Sequence, residues 1–176
     1  MENNPRVYAF IDSQNLNKGT QKMGWKMDWR KFRDFLQVKY GVSHAFMFIG
    51  FISGNEDLYN QLHDSGYKII LKPTVEHKTT DDQQVTTQQT KGNVDVELVL
   101  YALKEMSNYD KCIIVSGDGD FFSLVEYLEK KDRLAHIMAP NWQYSSLLKP
   151  YEKYVVRLDK LRRELAYRDR RKTNKN

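Results

Sequence analysis

Short apolar runs alternate with longer amphipathic stretches along most of this chain. Runs of roughly four to eight apolar residues are typical of strands buried on both faces, whereas apolar residues three or four apart are typical of helices. The runs predict six strands, at residues 7–11, 45–52, 67–71, 112–115, 134–138 and 154–156. The amphipathic stretches predict helices at residues 13–19, 28–40, 55–65, 93–106, 121–128, 142–149 and 159–171. The alternation predicts an α/β fold, a three-layer α/β/α sandwich around a mainly parallel sheet.

One polar segment, residues 76–90, departs from this alternation. It has almost no apolar anchors, and it is longer than most connections within a compact domain. Segments of this kind are either functional flaps or disordered insertions. Because this one leads directly into the helix predicted from residue 93, we expect a mobile loop beside a functional site.

The length of 176 residues predicts one domain with a substantial core. We assign residues 1–158 to this domain and residues 159–176 to a basic C-terminal helix or tail. Cys112 is the single cysteine, which excludes a disulfide framework and a cysteine-rich zinc site. No apolar stretch is long enough to span a membrane, and no signal peptide is evident, so we expect a cytoplasmic protein.

The net charge of +5 is concentrated at the C-terminal end. From Arg157 onward, nine Lys or Arg residues face three acids, so this segment carries +6 and the remainder about −1. A basic tail often contacts the nucleic-acid backbone, but it can equally be a solvated helix end. The candidate contacts are Arg162, Arg163, Arg168, Arg170, Arg171 and Lys172. The sequence is also compatible with a homodimer.

Two aromatic residues, Trp142 and Tyr144, follow Pro140. Exposed aromatic rings can stack on unpaired bases. Packing in the core or within a loop is the commoner role of an aromatic side chain, and we expect it here.

Two aspartates, Asp118 and Asp120, alternate with glycines directly after the strand at residues 112–115. Carboxylates on a turn with small neighbours suit a hard cation such as Mg²⁺ or Mn²⁺. The alternative is a turn aspartate followed by a helix N-cap, which Asp120 would supply. Asp12 stands at the end of the first strand in the same way, with a cap as its own alternative role. Because the carboxyl ends of parallel strands share one edge of a sheet, Asp12 and Asp118 should converge there.

Asp95 lies in the first turn of its predicted helix, in line with an apolar stripe. The stripe continues through Leu98, Val99, Ala102 and Met106. An acid on a buried face is unfavourable unless it is paired or binds a metal, although an acid is also favoured at a helix N-terminus. With Asp12, Asp118 and Asp120, it would form a cluster of like charges that repel one another. A divalent cation would relieve this repulsion, and it can also activate water and hold a phosphodiester. Asn15, Ser116 and Lys91 are candidate supporting or substrate-contacting residues.

Three separated motifs resemble the NYN domain family, the LabA-like branch of the PIN-fold nucleases. They are residues 8–15 (YAFIDSQN), 91–96 (KGNVDV) and 115–121 (VSGDGDF), within a resemblance that runs from about Arg6 to Leu158. The resemblance implies a PIN-like α/β/α fold, an acidic pocket that binds Mg²⁺ or Mn²⁺, and cleavage of RNA, usually endonucleolytic. It also implies that Asp12, Asp95, Asp118 and Asp120 are the metal ligands and catalytic residues, supported by Asn15 and Ser116.

Two features depart from the family pattern. Many members carry a further aspartate where this chain has Tyr101, and the polar insert is longer than the family leads us to expect. Our leading hypothesis is a divalent-metal-dependent ribonuclease. The alternative, which Tyr101 favours, is a non-catalytic RNA-binding or regulatory scaffold with the same fold. A phosphatase with Asp12 as nucleophile is disfavoured. Such phosphatases usually carry a second acid two residues after the first, and this chain has Gln14 at that position.

Overall fold

The computed structural model describes residues 4–51, 53–72, 75–77, 89–91 and 94–168, with only the backbone described for 75–77 and 89–91. The strands are β1 Val7–Asp12, β2 Val42–Gly50, β3 Tyr67–Lys72, β4 Val75–His77, β5 Gln89–Lys91, β6 Lys111–Val115, β7 Leu134–Ala139 and β8 Val155–Arg157. Six of them form one sheet in the order β3-β2-β1-β6-β7-β8, and every neighbouring pair is parallel. The predicted α/β fold with its parallel central sheet is therefore confirmed.

Helices cover both faces of the sheet. They are α1 Ser13–Lys22, α2 Trp29–Tyr40, α3 Glu56–Asp64, α4 Asp95–Lys104, α5 Phe122–Lys130 and α6 Arg162–Leu165. The apolar residues of α1, α2, α3 and α6 join one core cluster, and those of α4 and α5 join a second cluster. No helix in the described ranges is long and apolar enough to cross a membrane.

Strand β1 lies at the centre of the sheet and is buried along its whole length. Its side chains alternate between the two core clusters: Val7, Ala9 and Ile11 face one, and Tyr8 and Phe10 face the other. Burial on both faces explains why this strand is a continuous apolar run in the sequence.

The C-terminal segment differs from its prediction. Instead of one helix to residue 171, a 3-10 turn at Leu158–Leu161 leads into α6, which ends at Leu165. Leu165 is fully buried, and the apolar spacing that supports the helix ends with it. The next residue, Ala166, is extended and pairs with Met27. Residues 169–176 lie outside the described part of the chain.

Two other segments also differ from expectation. The helix predicted at residues 142–149 appears as a 3-10 helix at Ser146–Tyr154, which contains Pro150 and is kinked at Tyr151. Proline removes a backbone donor and disfavours helical geometry in the residue before it, so a regular α-helix does not form there. The ends of the polar insert pair as the antiparallel strands β4 and β5, whereas residues 78–88 lie outside the described part.

The sheet reverses its order between β1 and β6, since β2 and β3 extend to one side of β1 and β7 and β8 to the far side of β6. Helix α1 reaches from the end of β1 to the segment after β7. The carbonyl oxygen of Gly19 accepts a hydrogen bond from Asn141 Nδ2 at 2.9 Å. A Cβ atom at Gly19 would lie 2.5 Å from Cβ of Pro140, so the helix touches this segment with its backbone.

We expect Gly19→Ala to lower the free energy of unfolding by about 1–3 kcal/mol, as overpacking does in well-packed sites. In an unconstrained helix the same change would stabilise by about 1 kcal/mol, so the sign of the effect reports the contact with Pro140. Urea denaturation measures it, and Gln14→Ala on the exposed side of the same helix is the control. A more stable Gly19→Ala variant would contradict the close contact.

Candidate active site

Asp12 ends β1 at the edge where the strand order reverses, and only 4% of its surface is exposed. Its Oδ1 accepts a hydrogen bond from the backbone N–H of Asn15 at 3.1 Å, which caps α1. Its Oδ2 accepts a hydrogen bond from the hydroxyl of Ser116, at the end of β6, at 3.2 Å. Asp12 therefore has the cap role considered for it and also joins two neighbouring strands.

Two further hydrogen bonds hold the turn after β6 in place. The backbone N–H of Asp118 donates to Ser116 Oγ at 3.1 Å. The backbone N–H of Gly117 donates to the side-chain oxygen of Asn15 at 2.9 Å. Asn15 and Ser116, both predicted as supporting residues, thus fix the turn after β6 against the start of α1.

The cap after β6 is Asp118 and not Asp120. Asp118 Oδ1 accepts a hydrogen bond from the backbone N–H of Asp120 at 3.0 Å, at the start of a 3-10 turn over Gly119–Phe121. Helix α5 follows this turn without a side-chain cap of its own. The prediction of Asp120 as the cap was wrong because the 3-10 turn precedes the α-helix. The side chain of Asp120 is exposed, and that of Asp118 is partly exposed.

Asp95 is the first residue of α4 and is half-buried. The stripe that follows it is apolar as predicted, with Leu98 and Ala102 fully buried against the sheet. Asp95 therefore lies at the N-terminal end of the core-facing stripe of α4, next to the carboxyl edge of the sheet.

The carboxylates of Asp95 and Asp118 lie close enough to act on that of Asp12. The pKa of Asp12 is raised to about 6, mainly by burial and also by the negative charges of Asp95 and Asp118. The hydrogen bonds from Asn15 N–H and the Ser116 hydroxyl act in the opposite direction but do not offset the burial. Three of the four predicted acids thus share one electrostatic environment.

Three other residues have different surroundings. Tyr101 packs on β2, with ring centroids 6.0 Å from Phe46 and 5.6 Å from Phe48. Lys72, which lies near the same edge, forms an ion pair of 3.0 Å with Glu97. Lys91 lies in β5, where only the backbone is described.

The predicted cationic tail is described only in part. Arg162 donates to the carbonyl oxygens of Met23 and Gly24 at 3.5 and 3.0 Å. Arg168 donates to the carbonyl oxygen of Arg163 at 3.1 Å. Arg170, Arg171 and Lys172 lie outside the described residues. The beginning of the tail therefore lies against the connection between α1 and α2.

A divalent metal would find oxygen donors at this edge. Among the described residues, no three His, Cys, Asp or Glu side chains are already arranged to hold one ion. Mg²⁺ is commonly held by one or two carboxylates together with water and substrate oxygens. The buried Asp12 and the partly exposed Asp118 supply such carboxylates, in the field of Asp95. The donor set therefore fits a partly hydrated Mg²⁺ or Mn²⁺ ion and does not fit a closed zinc site.

Two clefts open on either side of α1. One, of about 230 Å³, is bordered by Asn15, Lys18, Lys22, Gly117 and the segment after Pro140. The other, of about 500 Å³, lies between α1 and α3, and apolar and amide side chains form most of its lining. The two lysines were not singled out from the sequence. Their signal was a spacing of three and then four residues after Asn15, which places all three on one helix face.

The motifs, the fold and this geometry agree with a comparison against known families. A sequence model of the NYN domain matches residues 6–159. The chain belongs to the NYN domain family. This NYN domain is also 26% identical to the low amplitude and bright protein LabA of Synechococcus elongatus over 130 residues, which cover 72% of this chain and 69% of LabA.

A solved structure shares the fold. A protein of unknown function from Vibrio parahaemolyticus superposes with a TM-score of 0.74 at 20% identity. The match covers 95% of this chain and all of the Vibrio chain. The architecture of this NYN domain, a parallel six-stranded PIN-like sheet flanked by helices, thus recurs in a protein of distant sequence.

We expect the metal-free wild type to lose stability relative to Asp12→Asn as the pH rises from about 4 to about 6. In this window the unfolded chain has lost the Asp12 proton, whereas the folded chain still binds it, because the folded pKa is about 6. The difference in unfolding free energy between the two proteins should change by up to about 3 kcal/mol, since one pKa unit corresponds to about 1.4 kcal/mol. Urea denaturation in EDTA at several pH values measures it.

The matched control for this experiment is Asp110→Asn. Arg6 donates hydrogen bonds to the exposed Asp110 and lowers the pKa of Asp110. The contribution of Asp110 to the free energy of unfolding should therefore grow as pH rises from the acid range. Because this change lies mainly below the ordinary pKa of 3.8, the difference between wild type and Asp110→Asn should change little from pH 4 to pH 6. A pH-independent difference between wild type and Asp12→Asn would contradict the raised pKa of Asp12.

Proposed function

We propose that this chain is a divalent-metal-dependent ribonuclease that hydrolyses RNA phosphodiesters endonucleolytically. The observation that carries the proposal is the buried Asp12, with its raised pKa, where the strand order reverses and within the field of Asp95 and Asp118. Ligands of open α/β sheets bind beyond the carboxyl ends of the strands at such a reversal. Members of the NYN domain family are generally ribonucleases, which supports the same assignment.

The unfavourable burial and repulsion of the clustered carboxylates indicate that the cluster has a function. A buried carboxylate beside two others is unfavourable for the folded state, because burial and like charge both oppose ionisation. The fold nevertheless holds Asp12 in place with hydrogen bonds to both oxygens. Carboxylates with perturbed pKa values cluster at functional sites, where the interaction with a ligand offsets their unfavourable burial.

In this proposal Asp12, Asp95, Asp118 and Asp120 form the metal-binding and catalytic cluster for Mg²⁺ or Mn²⁺. A divalent ion held by these carboxylates would supply Lewis acidity for activating water and for stabilising charge on the leaving oxygen. The Ser116 hydroxyl orients the Asp12 carboxylate. The side chain of Asn15 holds the Gly117 amide and thereby the turn that carries Asp118.

Cations outside the cluster would contact the RNA backbone. Arg162, Arg163 and Arg168 are exposed at the start of the tail, and we assign them this role together with Arg170, Arg171 and Lys172. Lys91 is a further candidate for a phosphate contact. Affinity that depends on such contacts falls as salt concentration rises.

The second candidate function is a non-catalytic RNA-binding or regulatory scaffold. Tyr101 favours it, because this aromatic ring packs on Phe46 and Phe48 where many family members carry another acid. A cluster with one carboxylate fewer would hold a metal less tightly. RNA binding without metal-dependent cleavage would select this function.

We expect the purified protein to cleave labelled RNA with Mg²⁺ or Mn²⁺ and to lose the activity in EDTA. Asp12→Asn and Asp118→Asn should each lower the cleavage rate by at least about 100-fold, because water activation at the cluster depends on both carboxylates. Asp110→Asn, on a distant exposed ion pair, should cleave at the wild-type rate. Equal cleavage by wild type and the two cluster variants would identify a contaminating nuclease. No cleavage by any of them would reject the ribonuclease.

We also expect Mn²⁺ to raise the melting temperature of the wild type more than that of Asp118→Asn. A ligand at roughly 100 times its Kd stabilises a folded protein by about 2.7 kcal/mol. Asparagine retains the ability to cap, so the 3-10 turn after β6 should survive the substitution while the charge is lost. Thermal denaturation across a Mn²⁺ titration measures the effect, with Asp110→Asn as the control. Equal stabilisation of all three proteins would place the ion elsewhere.

A further inference from the structure

The smaller cleft beside the acid cluster has a cationic wall on α1. Asn15, Lys18 and Lys22 are three and four residues apart, so they follow one another along one face of the helix. The helical rise places Lys22 about 10 Å along the axis from Asn15. Because Asn15 bonds to the Gly117 amide, the stripe begins at the acid cluster and leads away from it.

Among the described residues, neither lysine has an ion-pair partner that would account for it structurally. Both side chains are exposed, and neither forms an ion pair within the part of the chain that the structure describes. No acidic residue is among the described residues that line the cleft. Like charges four residues apart slightly destabilise a helix, so this pair makes no favourable contribution to α1 on its own. The charge of the wall is complementary to that of a phosphate backbone.

The opposite wall is held firmly in place. The backbone N–H of Ser145 donates to the carbonyl oxygen of Gly117 at 2.9 Å, and that of Gln143 donates to Asn141 Oδ1 at 2.8 Å. A Cβ atom at Gly117 would lie only 3.1 Å from Cβ of Tyr144. With the contact between Gly19 and Pro140, these interactions fix both walls, so the cleft exists before any ligand binds.

An exposed indole lies in the same segment, next to two residues that line the cleft. Trp142 falls between the lining residues Asn141 and Gln143, and 56% of its surface is exposed. Of the two aromatic residues expected to pack in the core or within a loop, Tyr144 packs against the second core cluster, whereas Trp142 does not lie in the core. Tyr144 is less suitable for stacking, because Lys149 Nζ already lies 4.9 Å from the centre of its ring. An exposed indole can stack on an unpaired base, whereas bases within a duplex have both faces covered.

We propose that this cleft binds the RNA strand on one side of the scissile phosphodiester, with Lys18 and Lys22 contacting successive phosphates and Trp142 stacking on an unpaired base. The proposal rests on the proposed ribonuclease function for the identity of the ligand. It adds a binding site that positions the strand against the acid cluster through residues outside that cluster.

The test measures binding separately from cleavage. A short fluorescein-labelled single-stranded RNA is titrated with the full-length protein in EDTA, at several salt concentrations, by fluorescence anisotropy. The same sequence as a perfect duplex is the comparison ligand. The variants are Trp142→Ala and the pair Lys18→Gln with Lys22→Gln. The control pair is Lys130→Gln with Lys131→Gln, two exposed lysines at the C-terminal end of α5.

We expect Trp142→Ala to weaken single-strand binding roughly 5- to 100-fold, the range typical of one base stacked on an aromatic ring. The Lys18 and Lys22 pair should reduce the slope of log affinity against log salt by about 1.4, or about 0.7 for each phosphate contact. The control pair should leave both quantities close to wild type. The duplex should bind more weakly than the single strand and should be insensitive to Trp142→Ala.

Two results would overturn the cleft proposal: no single-strand binding by the wild type at low salt, or equal effects of the test and control lysine pairs. Failure of the ribonuclease proposal looks different. A protein that binds as expected here but does not cleave with Mg²⁺ or Mn²⁺ retains the cleft and loses the catalytic assignment. A protein that cleaves, but whose cleft variants bind like wild type, retains catalysis and loses the cleft.

Discussion

The hydrogen bond between Ser116 and Asp12 joins the two central strands at the edge where the sheet changes direction. Asp12 also caps α1, and Ser116 Oγ also accepts a hydrogen bond from the backbone N–H of Asp118. One pair of side chains therefore positions a helix, a turn and two strand ends. A buried carboxylate is unfavourable by itself, and its hydrogen bonds do not return its pKa to the ordinary value. The geometry of the candidate site is therefore maintained against electrostatic repulsion by the packing of the sheet around it.

Much of this arrangement could be predicted from the sequence. Each strand of the sheet is a short apolar run, and parallel order follows from the alternation of strands with helices. The convergence of Asp12 and Asp118 followed from this order alone, because parallel strands end at one edge. The polar end of the α4 stripe, at Asp95, was visible as an acid in register with Leu98 and Ala102. These features depend on periodicity, which is a local property of the chain.

Features that depend on tertiary contacts could not be predicted. Nothing near Gly19 in the sequence indicates that Pro140 lies against it. This contact brings together α1 and the segment after Pro140, which form the two walls of the smaller cleft. The choice of Asp118 as cap depended on a 3-10 turn that has no strong sequence signature. The early end of α6 reflects a backbone bridge between Ala166 and Met27, which are far apart in the chain. At Gly19 and at the end of α6, a residue far away in the chain determines the local structure.

The separation of Asp12 from Ser116 by 104 residues has a consequence for synthesis of the protein. Ribosomes produce Asp12 and Asn15 before Ser116 and Asp118, and a nascent chain must extend past β6 before these residues can meet. Domains generally fold as units during translation, so the acid cluster cannot assemble before β6 and the turn after it have emerged. For a chain proposed to cut RNA, and made in contact with ribosomal RNA, this topology delays the appearance of the site until most of the sheet has left the ribosome.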